Sequence, residues 1–281
     1  MKLSIYLSIY LSIYLSVSLN GQVINSQEKA ENAGINRNAS YNLEEIKVRW
    51  KKVALENCTG VPCVVTPPAQ SFTCGTSTIS DYDGNVYNTV SIGTQCWTKQ
   101  NLKVTKYNDG TNIPEIPGSG IWNNTIVTGA RTVYDDLPSN LSTYGNLYNW
   151  YAATDSRKIC PTGWHVPTDG EWNNLILFID PTANATIYGV QSTTAGGKMK
   201  STSLWNIGLP GTDNYGFTAL PGGGRNMASN FLNINGSAFF WSAPEFDPGN
   251  AWFRALNNST GNVERITTLK SDGLSIRCLK D

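Results

Sequence analysis

Cys160-Pro-Thr-Gly-Trp-His-Val-Pro-Thr-Asp-Gly-Glu-Trp172 is the stretch around which this chain is organised. It ends in a helix start: Thr168 is suited to cap a helix, and Glu171, three residues later, completes a capping box. Apolar residues then recur at helical spacing: Trp172, Leu175, Ile176 and Ile179. The stretch therefore predicts a rigid, extended segment that leads into an amphipathic helix.

The first 21 residues have the pattern of a secretory signal peptide. Lys2 precedes an apolar run that ends at Leu19, and a cleavage site is plausible after Gly21. The alternative is an uncleaved anchor, because the run approaches the shortest length that spans a bilayer. We expect an exported protein, placed outside the cell, on its surface or in the periplasm, with no membrane span once the signal is removed.

Residues 22–70 predict a flexible segment that ends in a proline-rich linker. Within it, residues 43–56 have an apolar stripe and predict a short amphipathic helix. Since an isolated helix of this length is marginal in water, we expect it to dock on the main domain or on a partner. The folded domain is expected to occupy residues 71–281.

Composition excludes several classes of function. The 21 basic and 21 acidic side chains balance, so no basic face is indicated for nucleic acid. Six cysteines in an exported chain predict disulfides, although their spacing does not choose the pairing. Zinc is disfavoured because the chain has one histidine and no Cys-x-x-Cys pair.

The remaining patterns predict an α+β domain. Residues 81–85 fit a hairpin turn and, less well, the start of a calcium loop, since the later ligand positions of such a loop are apolar. Residues 106–140 predict a long loop, and residues 144–154 an aromatic-rich helix. Strand candidates are 86–92, 92–102, 215–220, 238–242, 251–256, 263–269 and 274–279.

An ordered set of motifs resembles the Fibrobacter succinogenes major paralogous domain, a bacterial family without an established activity. The motifs are Tyr82-Asp-Gly-Asn-Val-Tyr, Ile92-Gly-Thr-Gln-Cys-Trp, Tyr144-Gly-Asn-Leu-Tyr-Asn-Trp, Cys160-Pro-Thr-Gly-Trp-His-Val-Pro-Thr and Ser275-Ile-Arg-Cys-Leu-Lys-Asp. The resemblance covers residues 71–281. It implies a C-type lectin-like domain, similar also to formylglycine-generating enzymes, that is loop-rich and disulfide-stapled, with two short helices and antiparallel strands.

The same resemblance implies a disulfide pairing. Cys160 and Cys278 are placed like the long-range bridge that ties a helix to the last strand in lectin-like folds. Cys74 would then pair with Cys96. Cys58 would pair with Cys63.

No catalytic site is predicted. The formylglycine-generating chemistry needs a reactive cysteine pair, and no cysteine lies between Cys160 and Cys278. His165 lies in a proline-flanked turn, which favours a structural role over that of a general base. We therefore expect a non-catalytic binding or adhesion module without a cofactor, whose ligand is a glycan or a surface protein. A structural protein of a surface assembly is the alternative.

The predicted ligand surface is the loop between two strands near the C-terminus. Glu245, Asp247 and Asn250 can donate oxygens to a cation or hydrogen-bond to sugar hydroxyls, and Trp252 can stack on a ligand. Calcium-dependent sugar binding is not supported, because the triplets that lectin-like folds use for it are absent. The alternative is a simple hairpin turn. A second candidate is Arg225-Asn226, which follows three glycines.

Overall fold

The computed structural model describes residues 18–19, 22–23 and 72–281, except Ser119, Asn124, Ile207 and Pro210. The chain divides into two units after Phe72, and the fold described below is that of Thr73–Asp281. The predicted signal peptide lies outside the described residues apart from Ser18–Leu19. The predicted helix at 43–56, the linker and the Cys58–Cys63 pair lie wholly outside them.

The strands and helices are short. The strands are β1 (Ser18–Leu19), β2 (Gln22–Val23), β3 (Thr78–Ser80), β4 (Val86–Ile92), β5 (Gln95–Thr98), β6 (Arg131–Thr132), β7 (Leu147–Tyr148), β8 (Trp164–His165), β9 (Gly189–Ser192), β10 (Gly224–Arg225), β11 (Phe231–Leu232), β12 (Ser237–Glu245), β13 (Asn250–Asn257), β14 (Val263–Leu269) and β15 (Leu279–Lys280). The helices are α1 (Pro138–Tyr144), α2 (Trp150–Ala153), α3 (Asp169–Ile179) and α4 (Ala195–Met199), with a 3-10 turn at Tyr134–Asp136.

Two antiparallel sheets form the framework. One is five-stranded, with the order β3-β4-β5-β15-β8, and the other is four-stranded, with the order β12-β13-β14-β9. β1 with β2, β6 with β7, and β10 with β11 form separate two-stranded ribbons. The fold is therefore mostly antiparallel sheet with a few short helices, as the α+β prediction expected.

The capped helix α3 forms as the sequence predicts. The Thr168 side chain accepts a hydrogen bond from the Glu171 amide, and the Glu171 carboxylate accepts one from the Thr168 amide at 2.7 Å. Its buried face is the predicted one: Trp172, Leu175, Ile176 and Ile179. The Trp172 ring lies 4.8 Å from that of Trp97, and its Nε1 donates to the Trp241 carbonyl at 3.2 Å. Helix α3 thereby joins β5 of one sheet to β12 of the other.

Residues after β14 close the fold. The Ser275 amide donates to the Phe239 carbonyl and the Trp241 amide donates to the Ser275 carbonyl, each at 3.1 Å. This segment covers the outer edge of β12. Arg277, which follows it, is fully buried.

Two disulfides are present among the described residues, and both are the ones that the family resemblance implies. Cys160 is bonded to Cys278, and Cys74 is bonded to Cys96. The first ties the segment before α3 to the residue that precedes β15. The second ties the start of the domain to β5. Disulfides fit an exported protein, because thiols are kept reduced in the cytosol.

The predicted helix at 144–154 is wrong. Helix α1 ends at Tyr144, Gly145 adopts a positive φ of 79°, and β7 follows. The Asn149 side chain then accepts a hydrogen bond from the Ala152 amide at 3.0 Å and starts the separate helix α2. Glycine and asparagine favour helix ends over helix interiors, and here they outweigh the aromatic spacing.

Three strand predictions also differ from the structure. Residues 215–220 are held as a loop because Asp213 accepts hydrogen bonds from the amide and hydroxyl of Thr218, whose φ is 54°. Within 274–279 only Leu279 belongs to a strand, while Leu274 and Ser275 form isolated bridges. The segment predicted as one strand at 92–102 is the end of β4, a turn at Gly93 and β5.

No helix in the described part of the chain is long and apolar enough to cross a bilayer.

The long-range disulfide should stabilise the domain more than the short-range one. Cysteines 160 and 278 are separated by 118 residues and Cys74 and Cys96 by 22. By chain entropy the two bonds contribute about 5 and about 3 kcal/mol respectively. Guanidinium unfolding of the Cys160→Ser/Cys278→Ser and Cys74→Ser/Cys96→Ser variants measures the difference. A larger loss from the second pair would contradict the expectation.

Candidate functional site

The tip of the β12–β13 hairpin brings together the residues predicted to bind a ligand. Asp247 Oδ1 accepts hydrogen bonds from the amides of Gly249 and Asn250, each at 2.8 Å. The Asn250 side-chain amide donates to both Asp247 oxygens at 3.0 Å. The hydrogen bond from the Asn250 side chain, with those from the backbone, lowers the pKa of Asp247. Asp247 and Asn250 thus form the hairpin turn that the sequence offered as the alternative.

Glu245 is engaged by a buried lysine. Lys270 Nζ lies 2.5 Å from Glu245 Oε2 and 2.9 Å from the Pro248 carbonyl oxygen, and the Lys270 amide donates to the Gly249 carbonyl at 2.9 Å. Its ammonium group also lies 4.6 Å from the centre of the Trp150 ring. Lys270 is 5% exposed, and through these contacts it holds the hairpin tip in place.

Trp252 belongs to a cluster that we call the aromatic patch, in which two exposed rings flank two half-buried side chains: Tyr188, Phe246, Trp252 and Arg265. The ring centres of Phe246 and Tyr188 lie 4.9 and 6.0 Å from that of Trp252. The Arg265 guanidinium stacks on Trp252, 3.4 Å from its ring centre. Tyr188 is 58% exposed and Phe246 51% exposed. The neighbouring Ile187 and Val190 are exposed as well.

Helix α3 positions Arg265. Asp169, the first residue of the helix, accepts hydrogen bonds from Arg265 Nε at 3.0 Å and Nη2 at 2.8 Å. The same carboxylate lies 2.9 Å from Nη2 of the buried Arg254. Burial alone would raise the pKa of Asp169, but the two arginines outweigh it and the pKa is lowered. The helix start thus holds the guanidinium that covers Trp252.

The second predicted site, Arg225-Asn226, combines a buried arginine with a half-buried asparagine. Arg225 is 1% exposed, and its guanidinium donates to four carbonyl oxygens, those of Ile116, Pro117, Gly118 and Gly120, at 2.8 to 3.2 Å. The Asn226 side chain accepts hydrogen bonds from two amides of its own turn, those of Ala228 and Asn230. Both side chains therefore shape loops, and Arg225 offers no surface to a ligand.

His165 bridges two carboxylates. Its Nδ1 lies 2.6 Å from Asp281 Oδ1, and its Nε2 lies 3.0 Å from both oxygens of Glu171. Burial alone would lower the pKa of His165, but the hydrogen bonds to Asp281 and Glu171 outweigh it and the pKa is raised. Both ring nitrogens are thus engaged by carboxylates, and His165 links strand β8 to helix α3 and to Asp281.

An open groove of about 520 Å³ lies beside His165. The chain reaches it from three sides: the loop after α2, strand β8 and the end of β12. Its lining is largely apolar and includes Ala153, Ile159, Trp164, Val166, Ala243 and Pro244. Lys158 and Thr168 also line it.

The carboxylates of the turn at residues 81–85 are engaged by hydrogen bonds within the chain. Asp81 accepts hydrogen bonds from the Asp83 and Asn85 amides at 3.0 and 2.9 Å and from the Tyr87 hydroxyl at 2.5 Å. Asp83 accepts from Thr105. Over the described ranges, no group of three or more His, Cys, Asp or Glu residues is placed to hold a metal.

Sequence reasoning identified Trp252 but missed Tyr188, Phe246, Arg265 and Lys270. A signal for Arg265 existed, because a β13–β14 hairpin pairs Trp252 with Thr267 and brings Arg265 onto the same face. Tyr188 follows a loop without periodicity and reaches the patch through the pairing of β9 with β14. No sequence pattern indicates that contact.

Comparison with known proteins gives one match. The family model described as Fibrobacter succinogenes major domain matches residues 90–280. Neither the curated proteins nor the solved structures contain a match. The similarity to C-type lectin-like folds therefore stays a prediction.

The bridge at His165 should make stability depend on pH. Because its folded pKa is raised above the ordinary 6.5, its contribution is complete below about pH 6.5 and is lost as pH rises through the folded pKa. His165→Gln should destabilise by about 1 kcal/mol or less at pH 6 and by less at pH 9. Urea unfolding at both values measures this. The single histidine of the chain also permits direct NMR titration, and a pKa below 6.5 would contradict the expectation.

Removing the Lys270 ammonium should loosen the hairpin tip. Lys270→Met keeps the apolar stem but loses the contacts to Glu245 and Pro248, so we expect destabilisation of about 1 kcal/mol. Exchange of the Phe246 and Asn250 amides, both bonded within the turn, should accelerate. Lys99→Met, with the same change of charge outside the tip, is the control. Unchanged amide exchange rates in Lys270→Met would show that Lys270 does not hold the hairpin tip.

Proposed function

The chain belongs to the Fibrobacter succinogenes major domain family, and from this premise we propose that it is a non-catalytic protein-binding module of the bacterial cell surface. The observation that carries the proposal is the aromatic patch. Exposed tyrosine and phenylalanine around a half-buried tryptophan and an arginine form a combination of residue types that is enriched where proteins bind one another. The family match supports a surface module and leaves the kind of ligand open.

The surroundings of the patch favour a protein over a glycan. Sugar binding needs polar groups beside the stacking ring to hold the hydroxyls. Here Glu245 is engaged by Lys270, Asp247 by Asn250, and Arg265 by Asp169. The polar groups at the tip are thus committed internally, while apolar and aromatic area remains exposed. An exposed apolar surface of this kind is typical of a protein contact.

The face of Trp252 itself supports the same choice. Stacking on a sugar requires an open ring face, and Arg265 covers one face of this ring at 3.4 Å. Phe246 contacts it in an edge geometry with an interplanar angle of 80°. We therefore infer that Trp252 serves as the half-buried centre of the patch. Phe246 and Tyr188 would make the direct contacts.

Export and fold class complete the proposal. The apolar N-terminal run supports export, and the disulfides support an oxidising destination. We retain the lectin-like fold as part of the proposal. The sequence motifs favour it, and so does the disulfide between Cys160, before α3, and Cys278, before β15. Such a scaffold would present its loops to a partner on the same or a neighbouring cell.

Phe246→Ala should weaken binding of the oxidised protein to intact cells of its source by about tenfold or more. The reason is that aromatic side chains at the centre of a protein interface each contribute about 2 kcal/mol or more to binding. Binding is measured by flow cytometry with fluorescently labelled protein. Phe178→Ala is the matched control, because Phe178 is also 51% exposed but lies on α3 outside the patch. Equal effects of the two variants would count against the patch.

Treatment of the cells distinguishes the two ligand classes. If the partner is a protein, protease treatment of the cells abolishes binding and periodate oxidation of their glycans does not. The opposite pattern would replace the proposal with glycan recognition by the same surface.

A further inference from the structure

The groove beside His165 and the aromatic patch are formed by residues that are close in sequence at two places. Pro244 lines the groove and stands two residues before Phe246 of the patch. Thr168 lines it as well, and the next residue, Asp169, holds Arg265 on Trp252. A partner seated on the patch therefore lies next to the groove.

The lining of the groove suits an extended chain. Ile159, Trp164 and Val166 are buried and supply an apolar floor, and Ala243 adds a small side chain at the wall. Each of the three floor residues is at most 7% exposed, and the half-buried Ala243 and the exposed Pro244 supply the more accessible apolar surface. A volume of about 520 Å³ accommodates a short peptide stretch.

The charges that line the groove are not evenly matched. Asp155 is engaged by Arg157, whose Nε and Nη2 donate to its two oxygens at 2.8 and 2.7 Å. Lys158, which is exposed and lines the groove, has no carboxylate within ion-pair distance in the described part of the chain. His165, which also lines the groove, faces both Glu171 and Asp281. An acidic side chain is therefore attracted to Lys158 and repelled by the two carboxylates beside His165.

Backbone hydrogen bonds hold the loop that carries Lys158. Its φ of 59° is in the left-handed region, which a lysine rarely adopts. Its amide donates to the Asp155 carbonyl at 2.9 Å, and its carbonyl accepts from the Asn108 amide at 3.0 Å. Anchored on both sides, the loop holds this residue at the groove.

We propose that the groove binds an extended segment of the partner protein, with apolar side chains on the Ile159–Trp164–Val166 floor and an acidic side chain at Lys158. This inference rests on the proposed function, because the partner that occupies the patch supplies the segment. It identifies the kind of partner: one with an exposed, extended, acidic and apolar stretch.

Selection of short random peptides displayed on phage against the full-length oxidised protein tests the inference. We expect enriched sequences that combine apolar residues with Asp or Glu. Lys158→Glu should weaken an enriched peptide by about tenfold, because an attraction becomes a repulsion. Replacing the acidic residue of that peptide with Lys should restore binding to Lys158→Glu. Lys99→Glu, which changes the net charge equally outside the groove, should leave affinity unchanged.

A second variant separates charge from backbone effects. Lys158→Gly removes the ammonium group but suits the positive φ, so it should weaken the peptide while leaving the unfolding midpoint unchanged or higher. No acidic enrichment, or enriched peptides that ignore both Lys158 variants, would overturn the inference. That result leaves the proposed function standing if Phe246→Ala still loses cell binding. If peptides that depend on Lys158 are selected but Phe246→Ala does not change cell binding, the patch is instead excluded as the binding surface.

Discussion

The buried guanidinium of Arg277 is the interaction on which the rest of the fold depends. No carboxylate of the described residues forms an ion pair with it; it donates instead to the Thr98 carbonyl, the Asn101 side chain and the carbonyls of Phe217 and Thr218, at 2.7 to 2.9 Å. Burial lowers its pKa to about 9, so it stays charged at neutral pH. One residue thereby joins the C-terminal segment, the end of β5 and the loop before the glycine run. Without it, several buried acceptors would be left unsatisfied.

Local signals explain the parts of the fold that could be predicted. The capping box at Thr168 and Glu171 and the apolar face after it are encoded within a dozen residues, so helix α3 follows directly. The hairpin at 81–85 and strands β12 to β14 are likewise marked by turn residues and alternation. The stretch 144–154 misleads because its aromatic spacing is helical, while Gly145 and Asn149 end one helix and start another. The competing tendencies differ by little, and tertiary contacts decide between them.

The candidate site was harder to predict because its chemistry depends on pairs distant in sequence. The sequence shows Glu245, Asp247 and Asn250 as available oxygen ligands. In the folded chain Lys270 engages Glu245, and Asn250 engages Asp247, so the same residues become structural. Their commitment leaves the aromatic side chains as the exposed chemistry of the tip. We propose a protein rather than a glycan or a cation as the ligand because of those pairs, which no local sequence pattern indicates.

The covering of β12 by Ser275 has a consequence for synthesis. β12 contains Ala238-Phe-Phe-Trp241, an aromatic strand whose outer edge pairs with the Ser275 segment. During translation this strand emerges before Ser275, and an open apolar edge can pair with a second unfinished chain. Protection of this edge is therefore supplied by a segment that is made about thirty residues after the strand itself. A chain that stops before Ser275 would leave the ribosome with this edge of β12 unpaired by that segment.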